Sequence, residues 1–326
     1  MARAEQPGTG YRGGLMGLQE DERGFRYFRN AVEREWDPND ISFEQDRQNM
    51  LETYEDLSDE VAREVGEVQR KLLAMFGAGE ASVTEDLAPL AAATDSIEDQ
   101  MFLTTQMYEE AKHLQLFDRY WKEVLNWTED ELGLERTTPN DDKWYADDYH
   151  ALFDKEEERM NRLLTDDTPE NRVKAYCTYH LTAEGIIAQT GYWGITKNFR
   201  DHSEDEIEYK GDTFTVPKLP GLVKGIEKIR QDEGRHVGFG MSKVKEHITN
   251  GDVEPQLVED TIGELLPHTI GITNYAYEDI DDPNVFPIGP GDAAEYTQRK
   301  HSDRMGQIKN LDEDIPGLDE LTALGD

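Results

Sequence analysis

Apolar residues recur every three or four positions through most of the chain, the spacing of amphipathic helices. One stripe reads Val65, Val68, Leu72, Met75, Phe76, Gly79, Val83, Leu87 and Leu90. It predicts a long helix from Ser58 or Asp59, with Pro89 bending or breaking it. A second helix, from Ser96 to about Asn126, carries Leu103, Met107, Leu114, Phe117 and Trp121. Helices follow over 144–164 and from Pro169, the latter striped by Val173, Tyr176, Cys177, Leu181, Ile187 and Gly191. Residues 206–216 instead alternate apolar and polar around Lys210-Gly211-Asp212, a β-hairpin pattern. Helical spacing returns with Ile226, Ile229, Val237, Gly240 and Val244, then over 254–280 and 291–308. Residues 1–40, rich in Gly and Arg, read as an irregular lead-in, and 311–326 as a poorly ordered acidic tail. The expectation is an all-α fold over 41–310 around a four-helix bundle core, with extra helices and the hairpin as its sole sheet.

Polar residues interrupt these stripes at particular places. Glu80 and Glu184 each lie on one, and two further stripes carry Glu110 with His113 and Glu233 with His236. A lone Glu-x-x-His reads as well as a buried hydrogen bond. Here Glu109-Glu-Ala-Lys-His113 is repeated as Asp232-Glu-Gly-Arg-His236, acid-Glu-x-base-His each time. Two such turns plus one Glu from each of two more helices is the ligand set of a dimetal carboxylate bundle. Oxygen and imidazole donors without thiolate suit iron or manganese. Four carboxylates balance two divalent ions. His180, four residues before Glu184, reads as a core histidine bonded to a carbonyl. Asp232 is the candidate for a carboxylate that orients a ligating imidazole, that of His113.

The 326 residues include 71 acids against 34 Lys and Arg, a net charge of −37 spread along the chain. That excess argues against nucleic acid and anionic membranes as partners. It points to a salt-adapted cytoplasm, where screening shortens to about 3 Å at molar salt. The single Cys177 excludes an internal disulfide and a Cys-based zinc site. No apolar run reaches membrane-spanning length, and the first residues lack the apolar core of a secretion signal.

Gly79-Glu80-Ala-Ser-Val83-Thr84 and the two Glu-x-x-His units resemble those of the ligand-binding oxidases related to the ribonucleotide reductase small subunit. The resemblance runs from about residue 37 to 250 and leaves the hairpin as an insertion. It implies a ferritin-like bundle, a homodimer and a mixed Mn/Fe centre, with di-iron the alternative. It also implies a long-chain fatty acid-like ligand and two-electron oxidation by dioxygen. Carried over, Glu80, Glu110 and His113 serve one metal and Glu184, Glu233 and His236 the other, with Glu110 bridging. Val83 and Tyr179 match an ether cross-linked pair. Tyr179 precedes Glu184 by five residues, about 140° around an ideal α-helix, so it is expected to reach the centre from its helix's flank.

Two other functions compete. A radical-generating reductase subunit usually has Tyr where this chain has Phe117, and Asp where it has Glu80; after Tyr296 there is no Tyr to relay a radical. A ferritin-type metal store does not account for the Val83/Tyr179 pair. The dispersed charge generates a separate expectation. The melting temperature should fall steadily as salt is lowered from molar to millimolar, because self-repulsion loses its screening. An unchanged melting temperature across that range would refute it.

Overall fold

The computed structural model describes residues 17–55, 57–283 and 286–323. In chain order the elements begin with α1 (Arg23–Glu33), α2 (Glu44–Glu55) and α3 (Asp59–Ala93). Next come α4 (Ile97–Tyr120), a π-helical turn (Trp121–Leu125) and α5 (Asn126–Glu131), then α6 (Asp147–Arg162). One long rod follows: α7 (Pro169–Tyr176), a π-helical segment (Cys177–Ala188), α8 (Gln189–Thr196) and a π-helical turn (Lys197–Asp201). The hairpin β1 (Glu206–Tyr209) and β2 (Asp212–Thr215) leads to α9 (Pro220–Thr249), α10 (Pro255–Tyr275), α11 (Pro290–Lys309) and α12 (Leu318–Leu321).

The four-helix core consists of α3, α4, the α7–α8 rod and α9. α3 packs along α4, and α9 along α4 and the π-helical segment. Ser96 caps α4 by accepting from the Asp99 amide at 3.3 Å, satisfying one of its free donors. The apolar core divides into two bodies. One holds Met75, Phe117, Tyr192 and Ile229. The other holds Val83, Leu103, Tyr179 and Val237. On α3, α4 and α9 the stretch between the two bodies carries the acids and histidines singled out above, and on the rod Glu184 lies at the edge of the second body, between Leu181 and Ile186.

The hairpin forms as its alternation predicts. Glu206 pairs with Thr215 and Tyr209 with Asp212, in antiparallel register. Lys210 and Gly211 have φ of 50° and 96°, the left-handed pair that a tight two-residue hairpin turn requires. Lys210 then reaches Glu60 and Glu64 on α3, and Asp281.

Three expectations need correction. Of the two outcomes expected at Pro89, the break does not occur, and α3 runs through it to Ala93. The carbonyl that Pro89 leaves without its helical donor belongs to Glu85, an exposed residue beside water. The lead-in is not irregular throughout: α1 packs on α4 and α9, burying Tyr27 and Ala31, an i, i+4 pair obscured in sequence by its arginines. Residues 1–16 lie outside the described ones. The acidic tail is not loose over 311–323. Leu321 is buried, and the carbonyls of Leu321, Thr322 and Ala323 accept from Arg304, Arg230 and Lys300 respectively. Cationic side chains thus hold its backbone while its acids face water; residues 324–326 lie outside the described ones.

α9 approaches the π-helical segment closely at Gly240. A Cβ there would sit 2.2 Å from the Cβ of His180, an atom that cannot swing aside. Gly240→Ala is expected to cost about 1–3 kcal/mol by overpacking, read as a lowered melting temperature. A native melting temperature would show that the two helices have room to separate.

Candidate metal centre

The layer between the two apolar bodies is built from four helices. α3 contributes Glu80; α4 contributes Gln106, Glu109, Glu110 and His113. The π-helical segment contributes Tyr179, His180 and Glu184, and α9 contributes Asp232, Glu233, Arg235 and His236. All are buried. Nδ1 of His113 lies 3.1 Å from Glu110, 3.5 Å from Glu80 and 3.7 Å from Glu233. Nδ1 of His236 lies 3.0 Å from Glu110, 3.3 Å from Glu184 and 3.4 Å from Glu233. Ligand atoms of Glu80, His113 and Glu233 come within 4.8 Å of one another, as do those of Glu110, Glu233 and His236. Glu233 therefore spans the two histidines as Glu110 does.

The outer nitrogen of each imidazole is held by a carboxylate from the opposite helix. His113 Nε2 lies 3.2 Å from Asp232, and His236 Nε2 lies 2.9 Å from Glu109. A proton kept on Nε2 leaves the Nδ1 lone pair facing the four glutamates, the tautomer a metal ligand needs. Arg235 pairs with both Glu109 and Asp232, and the Trp36 indole donates to Asp232 at 2.7 Å.

The electrostatics show what the layer lacks. Burial pushes Glu80 up to about 8 despite His113 beside it. Burial, then the charge of Glu233, raises Glu184. Burial also raises Glu233. Burial alone would raise Glu110 too, but the His236 and His113 rings outweigh it and hold Glu110 well below the usual range. Burial would lower both histidines, yet the surrounding carboxylates carry them well above theirs. Glu184 Oε2, Glu233 Oε2 and His236 Nδ1 have no aligned hydrogen-bond partner among the described residues. Buried acids with unsatisfied oxygens, facing imidazole lone pairs, fit a pair of divalent cations.

No family model matches the chain. Solved structures do. An R2-like ligand-binding oxidase, a Glu-to-Asp variant with aerobically reconstituted Mn/Fe cofactor, has a TM-score of 0.74 at 26% identity, covering 93% of this chain and 98% of its own. A Tyr-to-Phe variant, also aerobically reconstituted with Mn/Fe, has 0.71 at 27% identity, covering 89% and 94%. A Val-to-Ala variant with anaerobically reconstituted Mn/Fe gives the same values. The fold is that of the R2-like ligand-binding oxidases.

Within this oxidase-like frame one geometric expectation changes. Tyr179 does not approach from the flank. Cys177–Ala188 is π-wound, with hydrogen bonds from i to i+5. Residues five apart then lie closer to one face than an α-helix would put them, and the Gln106 amide donates to both Tyr179 and Glu184, at 3.0 and 3.1 Å. The Tyr179 hydroxyl donates to Glu110 at 2.7 Å. Burial, then the charges of Glu110 and Glu184, keeps its proton well above the usual phenol range. Val83 is buried on α3 beside the same layer. His180 Nε2 faces the side-chain oxygen of Gln106 at 3.3 Å and joins neither ligand group.

Sequence reasoning missed Glu109, Gln106, Tyr192 and Trp36. Glu109 had a signal: it holds the place in the first repeat that Asp232 holds in the second. Gln106 had one too, as a polar residue one turn before Glu110. Tyr192, which donates to Glu233 at 3.2 Å, and Trp36 had none. The paired outer carboxylates generate a test. Asp232→Asn and Glu109→Gln should each weaken metal retention by about 10–100-fold, measured by competition with a chelator while the melting temperature of the metal-free chain is followed. Native retention in both would show that the two carboxylates do not orient the rings.

Proposed function

We propose that this chain is a dinuclear Mn/Fe oxidase that reduces dioxygen and oxidises a bond at the closed end of an apolar cavity. The observation that carries this reading is that cavity. Leu72, Met75, Phe76, Val83, Phe153 and Ile272 line it, and Glu80, Glu110, Glu184 and Glu233 are part of the same lining. An amphiphile with a carboxylate head at the centre and a hydrocarbon tail along the walls matches this lining, as a long-chain fatty acid does.

When bound, the metal pair supplies electrons and Lewis acidity for reducing dioxygen. The chain's own residues do the rest. Glu80, Glu110, His113, Glu184, Glu233 and His236 would hold the ions, and Glu110 and Glu233, which each approach both imidazoles, would be shared between them. Asp232 and Glu109 keep the imidazole lone pairs inward. The apolar walls exclude water, and the Tyr179 proton is aimed at Glu110.

Val83 and Tyr179 flank the same layer, and we assign them the ether cross-link. Its formation removes one hydrogen from the Val side chain and one from the phenol, and dioxygen accepts both with their electrons. The solved relatives support the assignment. They include variants of a Glu and of a Val three positions on, and of two Tyr thirteen positions apart. Glu80 and Val83, and Tyr179 and Tyr192, keep those spacings here. Phe117, stacked on Phe76 at 5.2 Å, leaves no phenol at the place expected of a radical generator. A homodimer in a salt-rich cytoplasm completes the reading; it rests on the resemblance and on composition.

The test is peptide mass spectrometry after metal-free chain is loaded with Mn(II) and Fe(II), with and without oxygen. A branched Val83–Tyr179 peptide, two hydrogens lighter than the sum of its parts, is expected in the aerobic sample alone. Linear peptides in both samples, with both metals bound, would remove the cross-link from this reading.

A further inference from the structure

The centre described above makes no use of Glu156. This residue of α6 is fully buried, and neither carboxyl oxygen has a hydrogen-bond partner among the described residues. An unpaired buried carboxyl is costly even when neutral, so stability gives no reason for it.

Its position does. α6 and α3 advance together along the cavity. The Tyr149 hydroxyl donates to the Met75 carbonyl at 3.0 Å. Four residues on, the Phe153 ring lies 3.4 Å from where a Cβ on Gly79 would be. The same register, continued by one turn, brings Glu156 and Glu157 level with the turn from Val83 to Asp86, and the charges agree: Asp86 acts on Glu156, and Glu157 on Asp86. Phe153, one turn before Glu156, and Val83 both line the cavity. Arg159, one turn after it, donates to Thr178 Oγ1 at 2.6 Å, beside Tyr179. Glu156 thus follows Tyr149 and Phe153, which line the cavity, on the same face of α6, and Asp86, whose charge acts on it, is half-buried on α3.

The charges agree with this placement. Burial, then Asp86 and Glu110, pushes Glu156 well above the usual carboxyl range, which favours its protonated form. Burial, then Glu157, raises Asp86 to about 6, so it exchanges a proton readily near neutral pH. The charges of Asp86 on α3 and Glu110 on α4 act on Glu156, and Glu156 in turn acts on Tyr149 of α6 itself.

We propose that Glu156 is a proton store for the metal-facing end of the cavity, refilled from solvent through Asp86. The proposal rests on the oxygen-reducing reading above. Reduction of dioxygen to water takes up one proton per electron, and apolar walls keep bulk water from supplying them. In each transfer the Glu156 O–H bond breaks and its proton passes to dioxygen undergoing reduction. The carboxylate takes a proton from Asp86, and Asp86 takes one from water. No electron passes through either acid. A charged and unpaired Glu156 in the dry interior is unfavourable, which drives the refilling step.

The test compares the native chain with Glu156→Gln, the same shape without a transferable proton, and Glu156→Asp, which keeps one. Melting temperature and metal content are measured first. Infrared spectra of the metal-free chain at neutral pH should show a protonated carboxyl band that Glu156→Gln lacks. The chains, loaded anaerobically with Mn(II) and Fe(II), are then mixed with oxygen in light and heavy water. Glu156→Gln should bind both metals yet react about 10²-fold more slowly, with an altered solvent isotope effect; Glu156→Asp should recover part of the rate. Native rate and isotope effect in Glu156→Gln, or no such band in the native chain, would overturn the proposal alone. A native chain that holds both metals and consumes no dioxygen would overturn the oxidase reading, and this one with it.

Discussion

Four carboxylates confined to one dry layer are the constraint on which the structure depends. Each would cost several kcal/mol to bury charged and alone. Glu80, Glu110, Glu184 and Glu233 share the space between two apolar bodies, so each raises the cost of the next. Two histidines relieve it only in part, since they must be charged to do so. The surrounding elements follow from this tension. Asp232 and Glu109 fix the rings from behind, and Arg235 answers both acids. α1 and Trp36 close over that outer shell, which is why a stretch read as lead-in belongs to the site.

The sequence makes the inner layer legible because acids and histidines on apolar stripes are costly, and hence few. Glu80, Glu110, His113, Glu184, Glu233 and His236 stand out for that reason alone. The hairpin is legible because Lys210-Gly211 supplies the backbone conformations its turn needs. Features that depend on hydrogen-bond bookkeeping are not legible. A π-wound stretch keeps much the same residues as an α-helix and shifts only which carbonyl each amide meets. The five-residue interval between Tyr179 and Glu184 was the available clue. Read on α-helical geometry, it put the phenol on the wrong side.

The docked tail was hidden for a different reason. Its composition is that of a solvated segment, and its side chains behave as one. What holds it is backbone: three successive carbonyls meet Arg304, Arg230 and Lys300, cations separated from it in sequence. Glu156 was hidden as well, because an acid within a charged stretch such as Lys155-Glu-Glu-Glu158 reads as one more solvated residue.

The use of the cations has an effect beyond the fold. The chain has 34 Lys and Arg for 71 acids. Several are already committed: Arg235 inside, to the acids behind the imidazoles, Arg304 and Lys245 to backbone carbonyls, and Lys210, at the surface, to three acids at once. Much of the remaining surface is acidic. Such a surface draws divalent metal ions towards the molecule and repels free anions within the short reach that salt allows. On the function proposed above, the two components of the centre would be delivered by opposite forces: metal ions would arrive down that electrostatic gradient, and a carboxylate-headed ligand would enter against it, drawn in by the burial of its tail.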